Sequence, residues 1–235
     1  MNKFIEAVKR MDLETVKNSL KQDPGWVNWT EKNGKNAIHF LCQVNLHGNK
    51  KLEDSSLLIL KWLLRQGMNV NSIHQIPDRC GFFPATPLWY AYTKGRNEKI
   101  YRWLLANGAD PDHCMFAIAW YDDTKAAALF KKYGANIDDD SGGDTPFLAA
   151  FLWKRFRVTK WFLEKGANPN ASDSKGNSAI YYAVKRKYDL DKVDMLLKHG
   201  ANPDQKNKEE ISARNLADSA RMKKLMNLFE DYKAS

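Results

Sequence analysis

The chain has 235 residues, 43% of them hydrophobic, which suffices for a real core, and no run approaches the ~18 apolar residues of a membrane span. The formal net charge of +9, from 37 Lys and Arg against 28 Asp and Glu, favours acidic partners, whether protein, nucleic acid or membrane surface. Three cysteines (Cys42, Cys80, Cys114), with no CxxC, argue against a disulfide framework and for free thiols in a reducing compartment, and the N-terminus lacks the apolar core of a secretory signal.

Along the chain, FIEAV (4–8) and LETVKNSL (13–20) read as two short helices. NAIHFL (36–41) opens the next helix, and VNLHGNKKLEDSS (44–56) reads as a polar inter-helix loop before LLRQGMNVN (63–71). NSIHQIPDRCGFFPATP (71–87) is an elongated finger or loop with Pro77 and Pro84 limiting its freedom. TPLWYA (86–91), TPFLAA (145–150), SAIYYA (178–183) and SARNLA (212–217) each open a helix with a hydroxyl cap, and Pro is allowed in the first turn. CMFAIA (114–119) holds the same place without the cap. The second helices end in LLANGADPD (104–112), LFKKYGANID (129–138), FLEKGANPN (162–170) and LLKHGANPD (196–204), each with a Gly suited to the left-handed C-cap. SLKQDPGWVN (19–28) fits the same ending with one extra residue. Ile100, Trp103, Leu104 and Leu105, then Val158, Trp161, Phe162 and Leu163, then Val193, Leu196 and Leu197 are stripes at helical spacing and are read as core.

These two motifs, recurring in order, resemble the ankyrin repeat over almost the whole chain: its TPLHxA helix start and its GADPN-like ending. The resemblance implies an all-α ankyrin-repeat solenoid of about seven helix-turn-helix units, with no sheet beyond finger turns. The expected units of this single domain are 1–30, 31–71, 72–112, 113–138, 139–170, 171–204 and 205–235, with units two to four irregular and the end units read as caps. The glycines of the endings stand at 67, 108, 134, 166 and 200, so the steps are 41, 26, 32 and 34 residues. The 26-residue step means that unit four has lost its finger, whereas unit five keeps the turn Asp140-Ser141-Gly142-Gly143-Asp144. The long 71–85 segment is expected to fold over the gap beside it, either as packing or as a partner-binding element.

The chemistry-bearing candidates are few. His113-Cys114 has no further metal ligand at a useful spacing, and Asp138–Gly143 fails as a calcium loop at its fifth and twelfth positions. His39 takes the TPLH position, where the resemblance implies that it ties helix to turn; His199 is expected at the surface. No P-loop, GxGxxG or HExxH is present, so the chain reads as non-enzymatic, without cofactor or metal.

What remains is a recognition surface. The resemblance places ligand-facing residues at the inner-helix ends and the finger tips. In this chain the helix-end positions are Lys9 and Arg10, Gln43 and Val44, Thr93 and Lys94, Tyr121 and Asp122, Leu152 and Trp153, and Lys185 and Arg186. The finger positions are Lys32, Asn33, Lys35, Ser141, Asp144, Ser174, Lys175 and Asn177. The expected partner-binding set is Lys9, Arg10, Lys94, Tyr121, Asp122, Leu152, Trp153, Lys175, Lys185 and Arg186, with Trp153 at the centre. The expected role is a monomeric, cytoplasmic adaptor that binds another protein with an acidic surface. The alternatives are a basic repeat protein that binds nucleic acid and a bacterial or viral effector that docks on a host protein in the host cytoplasm.

Overall fold

The computed structural model describes residues 2–78, 81–139 and 143–232. The chain divides into two compact halves, Met1–Cys114 and Met115–Ser235. Among the described residues of the first half are three helix pairs: α1 (Lys3–Lys9) and α2 (Leu13–Gln22), α3 (Ala37–Cys42) and α4 (Lys50–Arg65), α5 (Pro87–Thr93) and α6 (Glu98–Ala106). The second half holds four more: α7 (Met115–Tyr121) and α8 (Thr124–Lys132), α9 (Pro146–Leu152) and α10 (Phe156–Glu164), α11 (Ala179–Lys185) and α12 (Leu190–Lys198), α13 (Ala213–Ser219) and α14 (Lys223–Asp231).

The inner helices other than α7 begin where side chains satisfy otherwise orphaned backbone donors. Thr86 Oγ1 accepts from the Trp89 amide at 3.2 Å, Thr145 Oγ1 from Leu148 at 3.2 Å, and Asn36 Oδ1 from Ile38 at 3.1 Å. In the first half α3 packs between α1 and α5, and α4 between α2 and α6. In the second, α9 packs between α7 and α11, and α11 also meets α13. The cores are apolar and closed: Ile38, Ile59, Leu60, Leu63 and Leu88 in one half, and Phe130, Phe147, Phe151, Phe162 and Phe229 in the other, are fully buried. The expected stripes are buried too, except Trp103, which is half-buried with the Lys61 ammonium 5.7 Å from its ring.

At three repeat ends the closing Asn or Asp joins its repeat to the next. Asn71 donates to the Gly108 carbonyl at 3.0 Å and accepts from the Asp110 amide at 2.9 Å. Asn170 makes the same pair to Gly200 and Asn202, at 3.0 and 2.7 Å, and Asp138 accepts from the Asn168 amide at 3.0 Å.

Two expectations change. Residues 44–56 are only partly a loop: α4 starts at Lys50, where Asn49 Oδ1 caps the Leu52 amide at 3.2 Å, and the polar run KKLEDSS forms its first turns. Lys, Leu and Glu are strong helix formers, and exposure on a helix face suits them as well as a loop does. The long finger is also more than a turn. Its arms pair as an antiparallel hairpin, β1 (His74–Asp78) with β2 (Gly81–Ala85), in the register Ile76 opposite Phe83. Five residues per arm suffice for a ladder, and Pro77 and Pro84 are tolerated because both strands are edges. The Gln75 amide donates to the Asn33 carbonyl at 2.8 Å, which ties β1 to the preceding finger. Phe83 packs on Trp89 and reaches His113, with centroids 5.2 and 6.3 Å apart, at the start of the fingerless repeat. A 3₁₀ turn, Asp112–Cys114, then leads directly into α7. Cys42 and Cys114 are buried free thiols, with burial pushing both thiol pKa values up; Cys80 lies outside the described residues.

Candidate partner-binding surface

In the first half, the inner-helix ends carry cations laid over aromatic rings. The Lys9 ammonium sits 4.9 Å from the Phe40 centroid and 3.2 Å from Glu6, and that of Lys94 sits 5.8 Å from Trp89. Arg10 is exposed at the end of α1. Lys35 bridges the Phe40 and Tyr90 rings at 4.6 and 5.0 Å and donates to Gln43 Oε1 at 2.7 Å; burial lowers its pKa. Thr93 faces inward, with its hydroxyl donating to the Trp89 carbonyl at 2.7 Å.

Beside these cations lies a buried histidine. His39 Nε2 is 3.1 Å from the Ser72 carbonyl, and Nδ1 lies 3.2 Å from the Asn36 amide. With Nε2 protonated both contacts are satisfied, so His39 ties α3 to the base of the long finger. Burial pushes its pKa down to about 4. His74, in β1, meets the Tyr90 hydroxyl at 2.7 Å, and burial lowers its pKa too.

In the second half, Trp153 is the C-terminal cap residue of α9 and is 37% exposed. Its ring stands edge-to-face on Trp120, 50% exposed, with centroids 5.1 Å apart. The Arg155 guanidinium covers the Trp120 ring at 5.4 Å. Arg186 lies over Tyr182 at 4.7 Å and donates to the Leu152 carbonyl at 3.3 Å, so Leu152, Trp153 and Arg186 share this corner. Lys185 lies 5.3 Å from the Tyr181 ring, and Tyr121 is half-buried at the end of α7. Lys175 is exposed on a finger whose backbone carbonyl accepts from the Lys208 amide at 2.9 Å. Asn177 is buried, donating to Asp173 at 3.2 Å and accepting from Asn207 at 2.8 Å. Ser141 lies outside the described residues, as do Asp140 and Gly142.

Asp122 has an internal task. It sits at φ 53°, and its Oδ1 accepts from the Val158 amide at 2.8 Å while Oδ2 accepts from Arg157 Nε at 2.9 Å. The α10 N-cap, Arg155, makes no side-chain cap bond, so Asp122 serves as that cap from another repeat. His199 is half-buried, not at the surface: its Nδ1 is 2.8 Å from the Met195 carbonyl.

Trp120 was not among the expected residues. By the motif register it is level with Phe151 and Val184, which are buried. The clue in the sequence is the loss of the finger beside it. Among the described residues no three His, Cys, Asp or Glu side chains gather to hold a metal, and no helix is long and apolar enough to cross a membrane.

Comparisons with known proteins agree with this architecture. The family model described as ankyrin repeats in three copies matches residues 114–207, and the single ankyrin repeat model matches 85–116. Two ankyrin repeat proteins of Acanthamoeba polyphaga mimivirus are similar to this chain. L92 is 48% identical over 50 residues, covering 21% of this chain and 12% of its own. L91 is 28% identical over 163 residues, covering 66% of this chain and 22% of its own. The chain thus spans between about an eighth and a fifth of the length of these relatives. Among solved structures, the human ASB11 ankyrin repeat domain superposes with TM-score 0.66 at 22% identity, covering 92% of this chain and 91% of that one. The ankyrin repeat domain of Bcl-3, a member of the IkappaB family, gives 0.68 at 20% identity, covering 94% and 98%. The matched repeat models run over just over half of the chain, and with the seven helix pairs of the described residues they establish that it belongs to the ankyrin-repeat family.

Proposed function

We propose that the chain is a non-enzymatic recognition module that binds another protein bearing an acidic surface, through the face made by the inner-helix ends and fingers. Ankyrin-repeat domains are in general protein-binding modules, and membership of the family supports that much. The observation that carries the finer reading is the exposed Trp120–Trp153 pair, bordered by Arg155 and Arg186. Two adjacent, half-exposed indoles are costly to leave in water, and Trp and Arg are the residue types that anchor interfaces. The cations Lys9, Arg10, Lys94, Lys175 and Lys185 act as steering charges. The two mimiviral relatives favour a version of this reading in which the partner belongs to a host cell. In the proposal the acting species is a monomer in the cytoplasm.

A photoreactive residue at position 153 captures the partner in source cells, and the purified pair then gives the test. Trp153→Ala and Trp120→Ala each weaken binding about 30-fold, as expected of anchors worth roughly 2 kcal/mol. Salt slows association more than it speeds dissociation. Unchanged affinity in both variants overturns the reading. Tight binding to random duplex DNA, with log affinity falling steeply against log salt, replaces the protein partner with nucleic acid.

A further inference from the structure

The second half carries a groove of about 490 Å³ that the helix-end surface does not include. It lies between the α11–α12 turn and the start of α14. Its floor is apolar: Val184, Leu190, Val193, Met222 and Leu225. Leu190 is 43% exposed there, well beyond what a closed core position would leave. The rim is cationic on both sides. Lys187 stands on the α11–α12 wall; Arg221, Lys223 and Lys224 stand on the α14 wall. None of these four is paired with a carboxylate among the described residues. Asp191, the neighbour of Leu190, is engaged by Lys192 at 2.7 Å and does not line the groove.

The start of α14 adds to this field. Met222 gives α14 no side-chain cap, and its first turn holds two lysines and no acid. A helix N-terminus carries partial positive charge, so cations there are unfavourable until an anion arrives. We propose that this groove is a docking site for a short peptide segment of another protein, one with apolar anchors flanked by Asp or Glu. The apolar anchors take the floor, and carboxylates on either side meet Lys187 and the Arg221–Lys224 wall.

The arrangement selects this occupant over two others. A fatty acid or single-headed lipid brings one anionic group and answers one wall, whereas the charge lies on two. Single-stranded nucleic acid draws its affinity from stacking platforms, and the single aromatic lining residue is Tyr188. Its ring is already occupied, 5.4 Å from Phe151 and 5.2 Å from the Lys154 ammonium.

The test is a selection of phage-displayed random twelve-residue peptides on the full chain. Enriched peptides are synthesised, labelled and titrated by fluorescence anisotropy against the native chain and three variants. The expected peptides combine Leu, Ile, Phe or Met with Asp or Glu. Their affinity falls at least tenfold on Leu190→Asp and on the double variant Lys223→Glu, Lys224→Glu. It stays unchanged on Trp153→Ala, which separates this site from the helix-end surface. All substituted residues are exposed, and matching circular dichroism melts establish that the variants fold. Enrichment of peptides lacking acids or lacking apolar anchors overturns the proposal. So does binding indifferent to both groove variants, an absence of enrichment, or groove-dependent saturable binding of oleate without peptide enrichment.

Discussion

Trp153 and Trp161 sit eight residues apart in adjoining helices, yet truncation should separate them cleanly. Trp161 is 9% exposed on α10 and stacks edge-to-face on Phe162, with centroids 5.3 Å apart. Replacing a packed aromatic with Ala costs transfer energy plus a cavity, about 3–5 kcal/mol. Trp153 keeps its backbone bond, amide to Ala149 carbonyl at 3.0 Å, whatever its side chain. The Ala variant loses the Trp120 ring contact, about 0.5–1.5 kcal/mol, plus partial area burial. In urea, with a slope of about 2–3 kcal/mol/M, Trp161→Ala lowers the midpoint by roughly 1–2 M, and Trp153→Ala by roughly 0.5 M. Melts followed by far-ultraviolet circular dichroism read both without knowledge of any partner. Equal losses would mean that Trp153 supports the core, and the recognition surface would lose its centre.

Three further outcomes follow from particular contacts. His39 is neutral in the fold down to about pH 4, whereas an unfolded His protonates near 6.5. Its contribution is therefore whole above pH 6.5 and is lost as pH falls toward 4, with His74 shifted in the same direction. Native chain compared with His39→Gln in melts at pH 7 and 4.5 should show roughly 2–3 kcal/mol more acid loss in the native chain; identical pH profiles contradict the assignment. Asp122→Ala removes the cap on α10 and should cost about 1–2 kcal/mol, with Asp122→Asn intermediate; hydrogen exchange at Val158 should rise in both, and an unchanged rate would exclude the capping role. Lys187 is held at φ 53°, a conformation that costs a non-glycine residue about 1–2 kcal/mol, so Lys187→Gly should raise stability by up to about 1 kcal/mol once the extra freedom of unfolded glycine is deducted. A lower melting midpoint would reverse that sign.

The features legible in the sequence are those whose chemistry is local. Thr-Pro and Ser-Ala starts mark helices because a hydroxyl satisfies an amide three residues on, and Gly endings mark the left-handed cap, as at Gly166, φ 85°. The 26-residue step showed the missing finger because fingers have a fixed length to lose. Other features depend on partners distant in the chain. The arms of the 71–85 segment pair with each other across a tip, which a run containing two prolines does not advertise. KKLEDSS looks like a loop by polarity alone, yet α4 needs only one solvated face. Asp122 looked like a surface charge because its two partners, Arg157 and Val158, are some 35 residues ahead.

Repeat four concentrates these departures, and they share a cause. A repeat that enters its inner helix through a 3₁₀ turn has no finger and no capping hydroxyl there. Two neighbours in its sequence carry the consequences in the second half. Trp120, level with positions that are buried in ordinary repeats, stands half in solvent against Trp153. Asp122 turns the chain in a left-handed conformation and extends its carboxylate to α10, whose own cap position is an arginine. The exposed indole pair and the borrowed cap thus lie at opposite ends of one short link, Trp120 to Asp122. Restoring a finger by insertion before Met115 would test whether exposure of Trp120 depends on the deletion. Acrylamide quenching of a variant that retains Trp120 as its single tryptophan should fall if the finger covers it, and should stay the same if α7 alone sets the ring's position.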